Sequence, residues 1–207
     1  MPAAQLDEIE ARVLGCLVEK SLTTPELYPL TMNALVNACN QKSSREPVMS
    51  LDFPTVERAL KSLMERGFAG HVYEQGARSA KYTHRIEVLL ATEDPKVIGL
   101  VCVLLLRGPQ TVGELKTRTE RLCAFASIQE VDAALQALAS RVDGPIVAKA
   151  PRQPGQKEAR YRHLFTPQAE PPPAPPAAPA ADRVAALEQR VAALEERLAA
   201  LEARLPS

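Results

Sequence analysis

An internal repeat limits the folds open to this chain. The segments TVERALKSL, from Thr55, and EVDAALQAL, from Glu130, carry apolar residues in register. Val56, Ala59, Leu60 and Leu63 correspond to Val131, Ala134, Leu135 and Leu138 at a constant offset of 75. Self-similarity at one spacing points to two copies of a small supersecondary unit. The i, i+3, i+4, i+7 pattern within each segment makes it a helix with one buried face.

Each copy extends on both sides of that helix. Leu6, Ile9, Val13, Leu14 and Leu17 follow helical spacing in the first copy, and Val97 to Leu106 forms the matching apolar run in the second. A second helix is expected after a short turn, started by capping-box pairs, Thr23 with Glu26 and Thr111 with Glu114. Ser127 with Glu130 marks the start of the third helix in copy two, and Asp52 with an early Pro54 marks it in copy one. Gly67, just past Arg66, suits the left-handed cap that would end that helix. The periodicity then shifts toward two in HVYEQGARSAKYTHRI and PIVAKAPRQPGQKEARYRHLF, which read as hairpins turning at Gln75-Gly76 and at Pro151 to Gly155. Three helices and a hairpin, twice, describe a mainly α fold with small β-hairpins (α+β), a tandem winged helix-turn-helix. The expected boundaries are residues 1–92 for the first winged-helix domain and 93–166 for the second. Aligning Glu26-Leu27 with Glu114-Leu115 gives an offset of 88 against 75 for the third helices, so copy one is expected to carry 13 extra residues in NACNQKSSREPVMSLDF. Loops of that kind often carry function.

Beyond the repeat, residues 167–181 form a Pro/Ala-rich linker of semi-rigid polyproline character. Residues 182–207 obey a heptad: Val184, Val191, Leu198 and Leu205 fall at a, and Leu187, Leu194 and Leu201 at d. Arginines at g (Arg183, Arg190, Arg197) face glutamates at e of the next heptad (Glu188, Glu195, Glu202) in a parallel pair, so a coiled-coil homodimer is expected.

The stretches TPELYPLTMNALVNACNQKSSREPV and RGPQTVGELKTR resemble the YceH-like family of bacterial proteins of unassigned function. The resemblance covers about residues 6 to 166 and implies the tandem winged-helix architecture reached from the repeat. It implies no catalytic residues.

Charge decides what such a scaffold could bind. The 25 basic and 25 acidic side chains cancel, which excludes a uniformly basic coat, but residues 93–167 hold 11 basic against 8 acidic. In a DNA-reading winged helix the third helix enters the major groove and the wing touches phosphate or the minor groove. Copy one offers Glu57, Arg58, Lys61, Ser62 and Glu65 on that helix, a mixed face that a solvated helix would also show. Copy two offers Gln129, Glu130, Asp132 and Gln136, whose acidic members phosphate would repel. The wings supply Arg78, Lys81 and Arg85, then Lys149, Arg152, Lys157, Arg160 and Arg162, and the inserted loop adds Asn37, Asn40, Gln41, Lys42 and Arg45. These residues are the expected contacts to duplex DNA in a regulatory role. The alternative is a protein-interaction scaffold without nucleic-acid contact.

Nothing in the chain points to catalysis: His71, His84 and His163 fall in the wings, and no HExxH, GxSxG or phosphate-binding glycine loop occurs. No cofactor is expected. Cys16, Cys39, Cys102 and Cys123 lie far apart among apolar neighbours, which reads as reduced thiols in a cytoplasmic protein. The longest apolar run, Val97 to Leu106, is half of what a membrane span needs, so no membrane association is expected.

Overall fold

The computed structural model describes residues 5–73, 79–151, 158–167 and 191. Residues through Pro167 belong to one compact unit and residues 168–207 to a second, in which Val191 is helical and exposed. The linker and the remaining heptad positions Val184, Leu187, Leu194, Leu198, Leu201 and Leu205 lie outside the described residues.

The first unit is a mixed α+β structure. Helix α1 (Glu8–Thr23) begins at Asp7, whose carboxylate accepts from the backbone N–H groups of Ile9 and Glu10 while the Glu10 carboxylate returns to the Asp7 N–H. After a 3-10 turn (Pro25–Leu27) come β1 (Leu30–Thr31), α2 (Met32–Cys39), α3 (Phe53–Glu65), β2 (Ala69–Val72), β3 (Lys81–His84) and the short α4 (Ile86–Leu90). The second half repeats the order with α5 (Pro95–Arg107), α6 (Val112–Thr119), α7 (Ile128–Ala139), β4 (Val147–Lys149) and β5 (Tyr161–His163). The first sheet is antiparallel in the order β1-β3-β2, with Leu30 opposite Tyr82 and Ala69 opposite His84. In the second, β4 pairs with β5, and Gln110 exchanges both backbone hydrogen bonds with Tyr161 at 2.9 and 2.7 Å. Gln110 thus stands where β1 stands in the first half.

Local chemistry explains most boundaries. Asp52 caps α3 through the Thr55 N–H with Pro54 in the first turn, and Thr111 and Glu114 cap α6 reciprocally. Ser127 accepts from the Glu130 N–H, but the Glu130 carboxylate turns instead to the Ala126 N–H and to Lys96. At the end of α3, Gly67 at φ +77° allows Phe68 N–H to reach the Leu63 carbonyl and Gly67 N–H the Met64 carbonyl. This is the Schellman arrangement, closed by the buried Phe68 and Leu63 side chains.

The second helix departs from expectation. Thr23 ends α1, its hydroxyl donating to the Glu19 carbonyl, and α2 is capped by Thr31 instead. Thr31 and Thr111 are 80 apart, as are the fully buried Leu35 and Leu115, whereas Asp52 and Ser127 are 75 apart. Copy one therefore carries five extra residues between its second and third helices, not 13. The rest of the difference falls earlier, in the longer α1 and the turn after it.

One continuous core joins the two halves. Helix α1 is buried from Glu10 to Glu19 and packs against α5, itself buried from Gly99 to Leu106. A helix apolar around its whole circumference belongs in the interior. Close approach needs Gly15: a Cβ there would lie 2.9 Å from Leu106 Cδ2 and 3.2 Å from Leu105 Cβ. The Cys102 thiol donates to the Gly15 carbonyl, and Leu6 N–H donates to the Phe165 carbonyl. Fully buried Leu14, Leu17, Leu100 and Leu104 each contribute roughly 2 kcal/mol of transfer free energy. No helix among the described residues is long and apolar enough to cross a membrane.

Candidate nucleic-acid interface

Helix α3 buries Val56, Ala59, Leu60 and Leu63 and turns Glu57, Arg58, Lys61 and Glu65 outward. Along most of its length, from Pro54 to Met64, it borders a groove also lined by Met32 at the start of α2 and Tyr82 on the central strand β3. Arg58 and Lys61 stand on this groove, and among the described residues Lys61 keeps only a 3.9 Å pair with Glu65 in which both groups are exposed. Such a pair holds its cation loosely. Arg85 is exposed just after β3, its backbone N–H fastened to the Phe68 carbonyl, and Lys81 is half-buried on the same strand.

The equivalent groove of the second half is lined by Val112, Ile128, Gln129, Asp132, Ala133 and Gln136. By the repeat Val112 matches Met32, Gln129 matches Pro54 and Asp132 matches Glu57, while Ala133 stands for Arg58 and Gln136 for Lys61. The two faces differ in charge: each keeps one carboxylate, and only the first carries cations.

The inserted loop is fastened rather than offered. Arg45 is 5% exposed. Its guanidinium donates to the Ala38 and Ser44 carbonyls and, at 2.6 and 3.2 Å, to the Glu19 carboxylate of α1. Despite burial, these contacts raise the Arg45 pKa and lower that of Glu19. Asn40 clamps Leu51 by both backbone groups, at 2.8 and 2.7 Å, and Gln41 accepts from Arg45 and Lys20. Arg12 of α1 reaches the Cys39 and Pro47 carbonyls. Arg45, Asn40 and Gln41 are therefore structural, because a loop carrying buried backbone must find partners for it. Asn37 and Lys42 remain exposed.

The second wing also changes meaning. Arg160 donates to both oxygens of Glu114, at 2.9 and 3.3 Å, and to the Pro109 carbonyl. Its charge is thus committed to the carboxylate that caps α6. Tyr161 and His163 face inward and Arg162 outward, as alternation requires, but Nε and Nη1 of Arg162 are buried without a partner among the described residues. Lys149 is exposed, its ammonium 5.7 Å from the Tyr161 ring centroid. Arg78, Arg152 and Lys157 lie outside the described residues.

Sequence reading missed a duplicated Tyr-X-His at 82–84 and 161–163. Both tyrosines pair with the residue just before a helix-two cap, and both histidines accept at Nδ1 from the backbone N–H two residues on, at 3.4 and 3.3 Å. Nε2 of His84 lies 2.9 Å from the Ser21 hydroxyl, which donates to the Val18 carbonyl. Burial lowers the pKa of both rings, that of His163 to about 4, with Arg162 adding to the effect. Carrying the repeat comparison past the third helix would have exposed the motif. Cys16, Cys39 and Cys102 are buried, Cys123 is half-buried, and all four are unbridged.

A family model described as "Protein of unknown function, DUF480" matches residues 6–156. The chain is 48% identical over 164 residues to a UPF0502 protein of Vibrio cholerae, covering 78% of this chain and 76% of that one. A UPF0502 protein of Aeromonas hydrophila is 46% identical over 197 residues, 89% and 88% of the two chains. One of Photobacterium profundum is 49% identical over 160 residues, 76% and 72% of the two.

Proposed function

This chain belongs to the DUF480 family, and we propose that it is a non-enzymatic, cytoplasmic DNA-binding regulator built from two winged helix-turn-helix modules. The module reading is supported by the matching order of elements in the two halves, each with a short pairing segment, two helices and a hairpin whose last strand is central. The observation that carries DNA binding is the asymmetry of the two α3-type grooves. The first presents Arg58 and Lys61 beside the single carboxylate of Glu57, with Arg85 exposed beyond the central strand, and the second keeps the carboxylate, as Asp132 between two glutamines, without a cation. Only the first has the charge to meet a phosphate backbone. The heptad of residues 182–207 supports self-association, which would bring two such faces to one duplex.

The test is titration of the full chain with duplex DNA across a range of salt. Affinity should fall linearly on logarithmic axes with a slope near 0.9 per phosphate contacted. Arg58→Glu, Lys61→Glu and Arg85→Glu should each weaken binding on every sequence and flatten the slope by about one unit. Absence of salt-sensitive binding at low ionic strength overturns the reading. The second half favours a protein partner for its own groove, since Ile128 is 45% exposed beside Val112 and Ala133. A pull-down that survives nuclease and is lost in Ile128→Glu would establish that role.

A further inference from the structure

Where α1 and the 40–52 loop meet α5 and α6, the surface folds into a cleft of about 220 Å³. Arg107 ends α5, Arg118 lies in the last turn of α6, and Arg121 follows it; all three line the cleft with Glu19 of α1, above an apolar floor that includes Leu106. The cations outnumber the carboxylates available to them. Glu19 is held by Arg45 at 2.6 Å and by Lys20 at 3.4 Å. Glu114 is taken by Arg160 at 2.9 Å and approaches Arg118 no closer than 3.6 Å. Arg121 has no ion pair among the described residues, and Nη1 of Arg118 is buried with no hydrogen-bond partner among them. Burial lowers the Arg107 pKa and the neighbouring Arg118 and Arg45 charges add to it, with Glu19 and Glu46 offsetting part of the effect.

The loop also sets a hydroxyl into the cleft. Ser44 takes φ +59°, uncommon for a residue with a side chain, and its Oγ accepts from Arg107 Nη2 at 2.8 Å. That leaves its own O–H to donate. Crowded guanidiniums, an unsatisfied N–H and a hydroxyl gather at one cleft, which is an arrangement an oxyanion would relieve.

We propose that this cleft binds the phosphoryl group of a small phosphate monoester or diphosphate. A phosphoryl dianion calls for more than one cation, and the planar guanidinium fork suits its oxygens. The volume admits a phosphoryl or diphosphoryl group with part of what carries it, and the rest of the ligand extends toward solvent. Because both halves build the walls, occupancy tightens the junction between them, and the ligand acts on the whole unit as a stabilising effector.

The experiment uses the full chain. Thermal unfolding is followed with inorganic phosphate, pyrophosphate and ribose 5-phosphate, each against chloride at equal ionic strength, and calorimetry gives the affinities. The phosphates should raise Tm in proportion to the logarithm of concentration, and chloride should not. Arg118→Gln and Arg121→Gln should each weaken binding by about tenfold or more. Arg121 is exposed in a turn, so its variant keeps the test valid if Arg118→Gln fails to fold. Equal shifts with chloride, or unchanged affinity in both variants, overturn the proposal. A short duplex DNA arm separates the sources of phosphate. If only DNA binds through these arginines, the site is a backbone contact and the small-ligand proposal falls. Loss of phosphate binding in Arg121→Gln with DNA affinity intact supports it independently of Arg58, Lys61 and Arg85.

Discussion

Arg45 shows how far one side chain's meaning depends on its neighbours. It sits in a polar stretch between Ser44 and Glu46, where a solvated cation is the ordinary expectation, yet its side chain is fully enclosed and paired with Glu19. Removing one partner strands the other charge in the interior, so Arg45→Ala should cost about 3–5 kcal/mol in urea unfolding. The double change Glu19→Leu, Arg45→Met should recover much of that loss, because a buried pair and a well-packed apolar pair are close in free energy. A mild effect of Arg45→Ala would show that the loop is not anchored there. His163 makes a second residue-level case. Its ring is neutral in the folded chain down to about pH 4, while an unfolded histidine takes up a proton near pH 6.5. Above that value neither state binds the proton and the contribution is whole. As pH falls from 6.5 toward 4 only the unfolded chain protonates, and on the order of 3 kcal/mol is lost. His163→Gln should flatten the decline of Tm between about pH 7 and pH 5, a window that Glu19, titrating lower, does not share. His84, lowered in the same direction, contributes there and supplies the residual slope.

Among the elements, helices with a local signature are legible and fastenings between distant segments are not. The third helices follow from their apolar spacing, and Val56, Leu60, Leu63, Val131, Leu135 and Leu138 are all buried. Asp52, Thr111 and Ser127 act as caps because a cap is a contact three residues long. Thr23 misleads for the same reason: the Thr-X-X-Glu pattern is present, but α1 runs on through Thr23 and the turn at Pro25 follows. The true cap, Thr31, has Ala34 three residues on and so shows only half of the signature. Arg12 reaches carbonyls 27 and 35 residues away, which no local pattern encodes. Arg160 was countable as a cation from sequence, but not as the partner of Glu114, 46 residues earlier. The α1–α5 contact is likewise a fact of assembly, and Gly15 tests it. Gly15→Val sets a branched side chain against Leu105 and Leu106, where even a Cβ comes within 3.2 Å of Leu105 Cβ. Overpacking at this site should cost about 1–3 kcal/mol, measured as a lower urea midpoint. An unchanged midpoint would mean that the two halves can separate locally without loss.

For the whole molecule, net neutrality conceals a division of labour. In the proposed coiled coil the tail's arginines and glutamates would neutralise one another, and Arg45 and Arg160 are spent inside the first unit. The α3 groove itself carries only Arg58 and Lys61, so on the proposed reading a single copy makes a weak contact with a polyanion and strength comes from joining two copies. The compact unit ends at Pro167, so deletion of residues 182–207 leaves it whole. Sedimentation of the truncated chain should then give a monomer at concentrations where the full chain is a dimer. The truncated chain should also bind duplex DNA more weakly, by about 10²-fold or more if both faces engage one duplex, since the second contact forms at the effective concentration set by the proline-rich spacer. Its salt slope should fall to about half, because each copy neutralises its own phosphates. A truncated chain with unchanged mass would refute the coiled coil. Lower mass with unchanged affinity and slope would leave the dimer in place and assign DNA contact to one copy alone.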